Sequence, residues 1–179
     1  MRRWNALFSL AALILLLLHG LLGSFQLIGA NSSPSKLLSW LALILLLLHA
    51  ALGVKYTAAS LRVWKMTGVG YFRENRLFWT RRISGFAVLV LLFFHVGAFG
   101  TGTDEIYRLQ WFTQAKLVLH LLLAASLAVH ILTNLRPLML SLGLRGGRKW
   151  LGDILFVLAL LLLFMAAAFA VYYLRWNIW

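Results

Sequence analysis

Five histidines hold most of the chemistry this chain could do: His19, His49, His95, His120 and His130. Two of them close identical eight-residue runs, Ala12 to His19 and Ala42 to His49, both reading Ala-Leu-Ile-Leu-Leu-Leu-Leu-His. Each run, with its flanks, is apolar enough to cross a bilayer, and each carries its imidazole well into the hydrocarbon. An ionisable side chain at that depth is costly and points to function. The chemistry open to neutral imidazoles in such a setting is metal ligation or hydrogen bonding between helices.

The elements that must position them follow from hydropathy. The 179 residues are 63% hydrophobic with a mean hydropathy of +0.89, where soluble domains sit nearer half apolar. Apolar runs near 20 residues long indicate helices rather than barrel strands. The expected fold is an all-α integral membrane protein, a single five-helix transmembrane domain with spans at about 7–28, 37–56, 83–100, 115–135 and 154–174. Arg2-Arg3 ahead of an apolar run also has the form of a signal peptide, with Ile28-Gly29-Ala30 as its cleavage site. The run is longer than a usual signal core, and the second copy of the motif lies where no signal can be, so 7–28 is read as a span.

Asn31 to Ser35 is a turn of breaker residues that should return the second span antiparallel to the first. That second helix should continue beyond the membrane toward Arg62. Arg136-Pro137 should kink or end the fourth helix, although the apolar stretch to Leu142 could continue along the interface. The fifth span has no polar landmark and should close the bundle.

The net charge of +13 could suggest nucleic acid, but the basic residues lie between the spans. The amino terminus, the 55–82 segment and the 136–149 segment together carry 13 of the 17 Lys and Arg. By the positive-inside rule the amino terminus is cytoplasmic and the carboxy terminus outside. The absence of cysteine excludes disulfides, thiolate-bound iron–sulfur clusters and c-type haem attachment on this chain. The four acids, Glu74, Asp104, Glu105 and Asp153, all lie outside the middle of a span, which argues against a cation transporter.

Counting along the spans converts position to depth. His49 and His130 lie on the order of 8–10 Å from the inner face, and His19 and His95 roughly 18 Å from it. A lone intramembrane histidine could simply bond a neighbouring helix. Four that sort into two levels, each level on two helices, match the demand of six-coordinate b-type haem for one axial ligand from each side. His49 with His130 would hold a haem near the inner face, and His19 with His95 a second one further out. His120, near the outer end of the fourth span, could replace His95 or His19, face a quinone or a propionate, or only bond a helix. It lies about 80° from His130 round the helix, so the two do not share a face. Gly20, Gly23, Gly53 and Gly97 could admit a porphyrin plane or let helices pack closely. Lys55, Arg82 and Arg136 could neutralise propionates at the inner face or snorkel to the interface.

These features resemble the five-helix dihaem cytochrome b membrane subunit of succinate:quinone oxidoreductases and quinol:fumarate reductases. The matching stretches are His49-Ala50-Ala51-Leu52-Gly53, Arg82-Ile83-Ser84-Gly85-Phe86-Ala87 leading to His95, and His130 with Asn134-Leu135-Arg136 beyond it. The resemblance runs through nearly the whole chain in helix order and topology. It implies two haems b, the outer on His19 and His95 and the inner on His49 and His130. Ser84 falls at the family's Arg-x-Ser/Thr-Gly position and joins Lys55, Arg82 and Arg136 as a candidate propionate or quinone contact. Quinone, expected to be menaquinone, would be the membrane substrate. A flavoprotein subunit and an iron–sulfur subunit would dock at the basic cytoplasmic face, and the complex would lie in the cytoplasmic (inner) membrane. Some members carry an acid in the outer half of the second helix and another two residues before the fourth-helix histidine. Here the second span has no acid, and the other position is Ala128. The cytochrome b of a formate dehydrogenase or hydrogenase would also hold haem with a different soluble partner. A haem-free anchor would use the histidines only between helices.

Overall fold

A computed structural model describes residues 2–30, 35–68, 76–99, 111–144 and 148–178. Its regular elements are five α-helices: α1 (Arg2–Leu27), α2 (Lys36–Thr67), α3 (Arg76–Phe99), α4 (Gln114–Ser141) and α5 (Arg148–Asn177). All five are long and apolar enough to cross a membrane. Large apolar side chains such as Leu37, Ile44, Phe86, Phe93 and Leu163 are exposed on their outer faces. In water that would be untenable; against lipid it is the expected surface, because a helix satisfies its backbone internally and needs only an apolar exterior.

The helices run past the apolar spans at most ends. Hydropathy stops at the first charges, whereas backbone hydrogen bonding does not. α2 has 32 residues, about 48 Å of helix against a hydrocarbon core of about 30 Å. Its last turns carry the exposed Arg62 and Lys65 clear of the apolar part. Ser35 caps its start by accepting from the Leu38 amide at 3.2 Å. Gly68, at φ +64°, ends it with its amide on the Trp64 carbonyl.

α4 runs through Pro137 to Ser141, so the proline does not end it and the apolar stretch toward Leu142 continues the helix. Proline has no amide to give the carbonyl four residues back, here that of Thr133. Arg81 of α3 supplies the missing donor, its Nε bonding the Thr133 carbonyl at 2.9 Å. The helix therefore continues to Ser141 with its freed acceptor satisfied from a neighbouring helix.

α5 closes the bundle by packing on α4 and α1. Ile131 and Leu135 of α4 meet Leu158, Leu162 and Met165 of α5, with Leu13, Leu16 and Leu17 of α1 against them. A second core of Leu27, Phe112, Ala168 and Tyr172 ties the far end, where Arg175 bonds the Leu27 carbonyl and Asn177 that of Phe112. The other strong pairings are α1 with α2 and α3 with α4. Among the described residues α2 packs closely on α1 alone and buries none of its own side chains. The bundle is thus two helical hairpins braced by α5, with a seam between α2 and α3.

Candidate functional site

The seam is where the histidines meet. His19 of α1 and His95 of α3 have ring centroids 6.0 Å apart, with planes crossed at 83°. His49 of α2 and His130 of α4 are 6.2 Å apart, crossed at 71°. Each pair joins one helix of the first hairpin to one of the second.

Hydrogen bonds to three of the four rings settle which nitrogen carries the proton. Ser9 Oγ lies 2.9 Å from His49 Nδ1 and gives its single proton to the Asn5 carbonyl at 2.6 Å. It can therefore only accept from His49, which must carry its proton on Nδ1. The same logic holds on α2. Ser39 Oγ donates to the Ser35 carbonyl at 3.1 Å and accepts from His19 Nδ1 at 3.0 Å. His130 Nδ1 donates to the Arg81 carbonyl at 3.1 Å, with Ser84 Oγ at 3.3 Å beside it. Three imidazoles are thus held as Nδ1–H tautomers with the Nε2 lone pair left for another partner. Metal-binding histidines are oriented in this way, through an outer hydrogen bond that fixes the tautomer and raises ligand basicity.

The antiparallel repeat explains the reciprocity. A serine stands ten residues before the histidine in both α1 and α2, Ser9 before His19 and Ser39 before His49. Ten residues of helix rise about 15 Å. Because the helices run in opposite directions, the serine of each lies beside the histidine of the other. Ser9 and Ser39 were not singled out from the sequence, although the identical runs end only three residues short of them.

The residues present fit haem on three observations. With a metal–nitrogen bond of about 2.0 Å and a ring nitrogen about 1.1 Å from its centroid, two imidazoles on one metal have centroids about 6.2 Å apart. Both pairs match that separation. The donor set, neutral imidazole on two sides, is that of low-spin b-type sites. Space is made at the ring itself by Gly85, where a Cβ would stand 2.9 Å from His130 Cε1. A cavity of about 200 Å³ also opens at the His19–His95 level, lined among others by Gly20, Ser39, Leu123 and Met165.

The remaining sequence-selected residues divide. Arg82 reaches across the seam to the Gly53 carbonyl of α2 at 3.3 Å, one turn beyond His49, and its guanidinium lies 5.1 Å from the Phe78 ring. Its Nε is buried with no hydrogen-bond partner among the described residues, an orphan donor beside the His49–His130 level. Ser84 is buried against His130. Lys55 and Arg136 are exposed. Of the glycines, Gly20 abuts Met165 and Gly53 faces Arg82, whereas Gly97 faces open space. His120 is almost wholly buried, 5.3 Å from the His95 ring and among Phe99, Phe112 and Phe169. No protein-family model, curated protein or solved structure matches the chain.

Proposed function

We propose that the chain is the membrane-anchoring cytochrome b subunit of a succinate dehydrogenase or fumarate reductase complex, holding two haems b. The observation that carries this reading is the pair of crossed histidines at each of two levels, drawn from four different helices and three of them locked as Nδ1–H tautomers. The protein holds Nδ1 of three of these four rings by hydrogen bonds, which leaves the Nε2 lone pair as the one open to a ligand.

His19 and His95 would hold the outer haem, and His49 and His130 the inner one. Bound there, haem supplies reversible one-electron transfer at its iron. The protein contributes the ligands, their tautomers, an apolar seam that excludes water and the Arg82 guanidinium at the edge of the inner level. The levels are about 15 Å apart, from the ten-residue offset on each helix of the first hairpin, wider than the roughly 8–10 Å that counting from the span ends gives. Electrons could thus be relayed between the basic cytoplasmic end, where an iron–sulfur and a flavoprotein subunit would dock, and quinone in the bilayer. The extended basic end of α2, with Arg62 and Lys65 exposed, suits that docking. The charge asymmetry supports a cytoplasmic amino terminus in a multi-pass membrane protein; the inner membrane follows from the proposed complex.

The test is purification from a native membrane in mild detergent, with haem, flavin and succinate:quinone activity measured together. Haem b copurifying with a flavoprotein and an iron–sulfur subunit supports the reading. Haem with the soluble subunits of a different oxidoreductase reassigns the complex, and colourless protein overturns the reading.

A further inference from the structure

His95 is the exception in the pattern just described. His19, His49 and His130 each have Nδ1 held by an oxygen, whereas His95 Nδ1 is buried with no hydrogen-bond partner among the described residues. A second orphan lies beside it, the buried Nε2 of His120. His120 Nδ1 donates to the Lys116 carbonyl at 2.6 Å. A carbonyl can only accept, so the proton is on Nδ1 and the Nε2 of His120 is a bare lone pair. With Nε2 on a metal, His95 would carry its proton on Nδ1, a donor without an acceptor beside the bare acceptor of His120 in one aromatic pocket. The rings stand 5.3 Å apart and the two atoms do not bond each other as they stand; a turn of the His95 ring that aimed Nδ1 at His120 would bring the nitrogens, each about 1.1 Å from its centroid, to about 3.1 Å, within hydrogen-bond range.

The topology points the same way. In the first hairpin, Ser9 and Ser39 lie ten residues before His19 and His49 and serve each other's histidine. In the second hairpin Ser84 lies eleven residues before His95 and serves His130. The reciprocal position, ten residues before His130, is occupied by His120. It stands where the other three helices place a serine.

We infer that His120 is the positioning residue for His95: once a haem on Nε2 fixes the His95 ring, His120 Nε2 would accept its Nδ1 proton in a relay from His95 to His120 to the Lys116 carbonyl. The inference deepens the proposed function and rests on it. By this assignment His120 is neither an axial ligand nor a quinone contact. It fixes the His95 tautomer so that Nε2 faces His19, and it raises the basicity of that ligand. A carbonyl-backed imidazole is a more polarisable acceptor than a lone hydroxyl, so His95 would be more electron-rich than His19 and His49, whose partners are serine hydroxyls.

The experiment is a potentiometric titration of the detergent-purified protein with both haems resolved spectrally, in wild type, His120→Phe and His120→Gln. Phenylalanine suits the surrounding aromatic cluster but accepts no proton. Glutamine returns an acceptor oxygen near the position of Nε2. H120F should retain the inner haem at its wild-type potential, raise the potential of the outer haem and weaken its binding about 10–100-fold. H120Q should lie close to wild type in both respects. Equal shifts in H120F and H120Q, or an unchanged outer potential in H120F, would overturn the relay. Loss of the outer haem in both variants would overturn it too, marking His120 as the ligand. Should H120F fail to fold, shown by loss of the inner haem as well, H120Q decides alone: a wild-type outer potential supports the relay and a raised one refutes it. Wild-type protein without haem would instead refute the proposed function.

Discussion

Replacing Gly85 by alanine separates ligand positioning from helix stability. A Cβ at this position would lie 2.9 Å from His130 Cε1 and 3.1 Å from Nδ1, whereas ordinary contact begins at 3.4 Å. The imidazole would have to withdraw by about 0.5 Å, the tolerance within which a binding constellation must be held. It cannot withdraw freely, because Nδ1 is fixed on the Arg81 carbonyl and Ser84 crowds the same edge. Alanine meanwhile favours the helix by about 1 kcal/mol over glycine, so α3 itself should not suffer. The expected outcome is a protein of equal or higher thermal stability that binds the inner haem 10–100-fold more weakly, about 1.4–2.7 kcal/mol. Haem titration into the purified apoprotein, followed spectrally at both levels, reads this directly. Gly97→Ala is the control on the same helix, since a Cβ there meets nothing within 4 Å. Full-affinity binding of both haems by G85A, or an equal loss in G97A, would refute the reasoning.

Three further outcomes are expected. Ser9→Ala should raise the potential of the haem held by His49 and leave the other unchanged, while Ser39→Ala should do the reverse for His19; redox titration of each variant checks the crossing. Arg81→Met leaves the Thr133 carbonyl without its donor and should cost about 1–3 kcal/mol, measured as a lowered midpoint of thermal unfolding in detergent. Adding Pro137→Ala, which restores an amide at the right place, should recover part of that loss. Finally, the imidazole planes cross at 83° and 71°, which, on a haem iron held between them, would keep two of its d orbitals nearly equal in energy. The oxidised protein should give the strongly anisotropic low-spin electron paramagnetic resonance signal of crossed ligands; a three-line rhombic spectrum would show parallel planes instead.

Much of this arrangement is legible without coordinates, for definable reasons. Helix number follows from hydropathy, because lipid leaves a chain few other ways to satisfy its backbone. The grouping of His19 with His95 and of His49 with His130 follows from counting, because helical rise is uniform. What counting does not supply is azimuth. Which residue touches His19 depends on rotation about the helix axis, and Ser39 could not be chosen over Ser35 without it. The path of α4 through Pro137 was illegible for a related reason. A proline's missing amide is a local fact, but its compensation by Arg81 comes from a residue more than fifty positions away. His120 stayed ambiguous because burial, a carbonyl partner and nearness to His95 are all tertiary facts. Gly85 lies in a stretch already singled out, yet its steric role depends on where the His130 ring falls.

The central claim is that the two crossed pairs are axial ligands rather than contacts between helices. The most direct measurement is a dithionite-reduced minus oxidised spectrum of the purified protein, with haem quantified per chain. Two low-spin haems b per chain are expected, falling to one, the outer, in either His49→Ala or His130→Ala. A spectrum without haem bands, from folded protein isolated out of haem-replete membranes, would contradict the claim and leave the four imidazoles as contacts between helices.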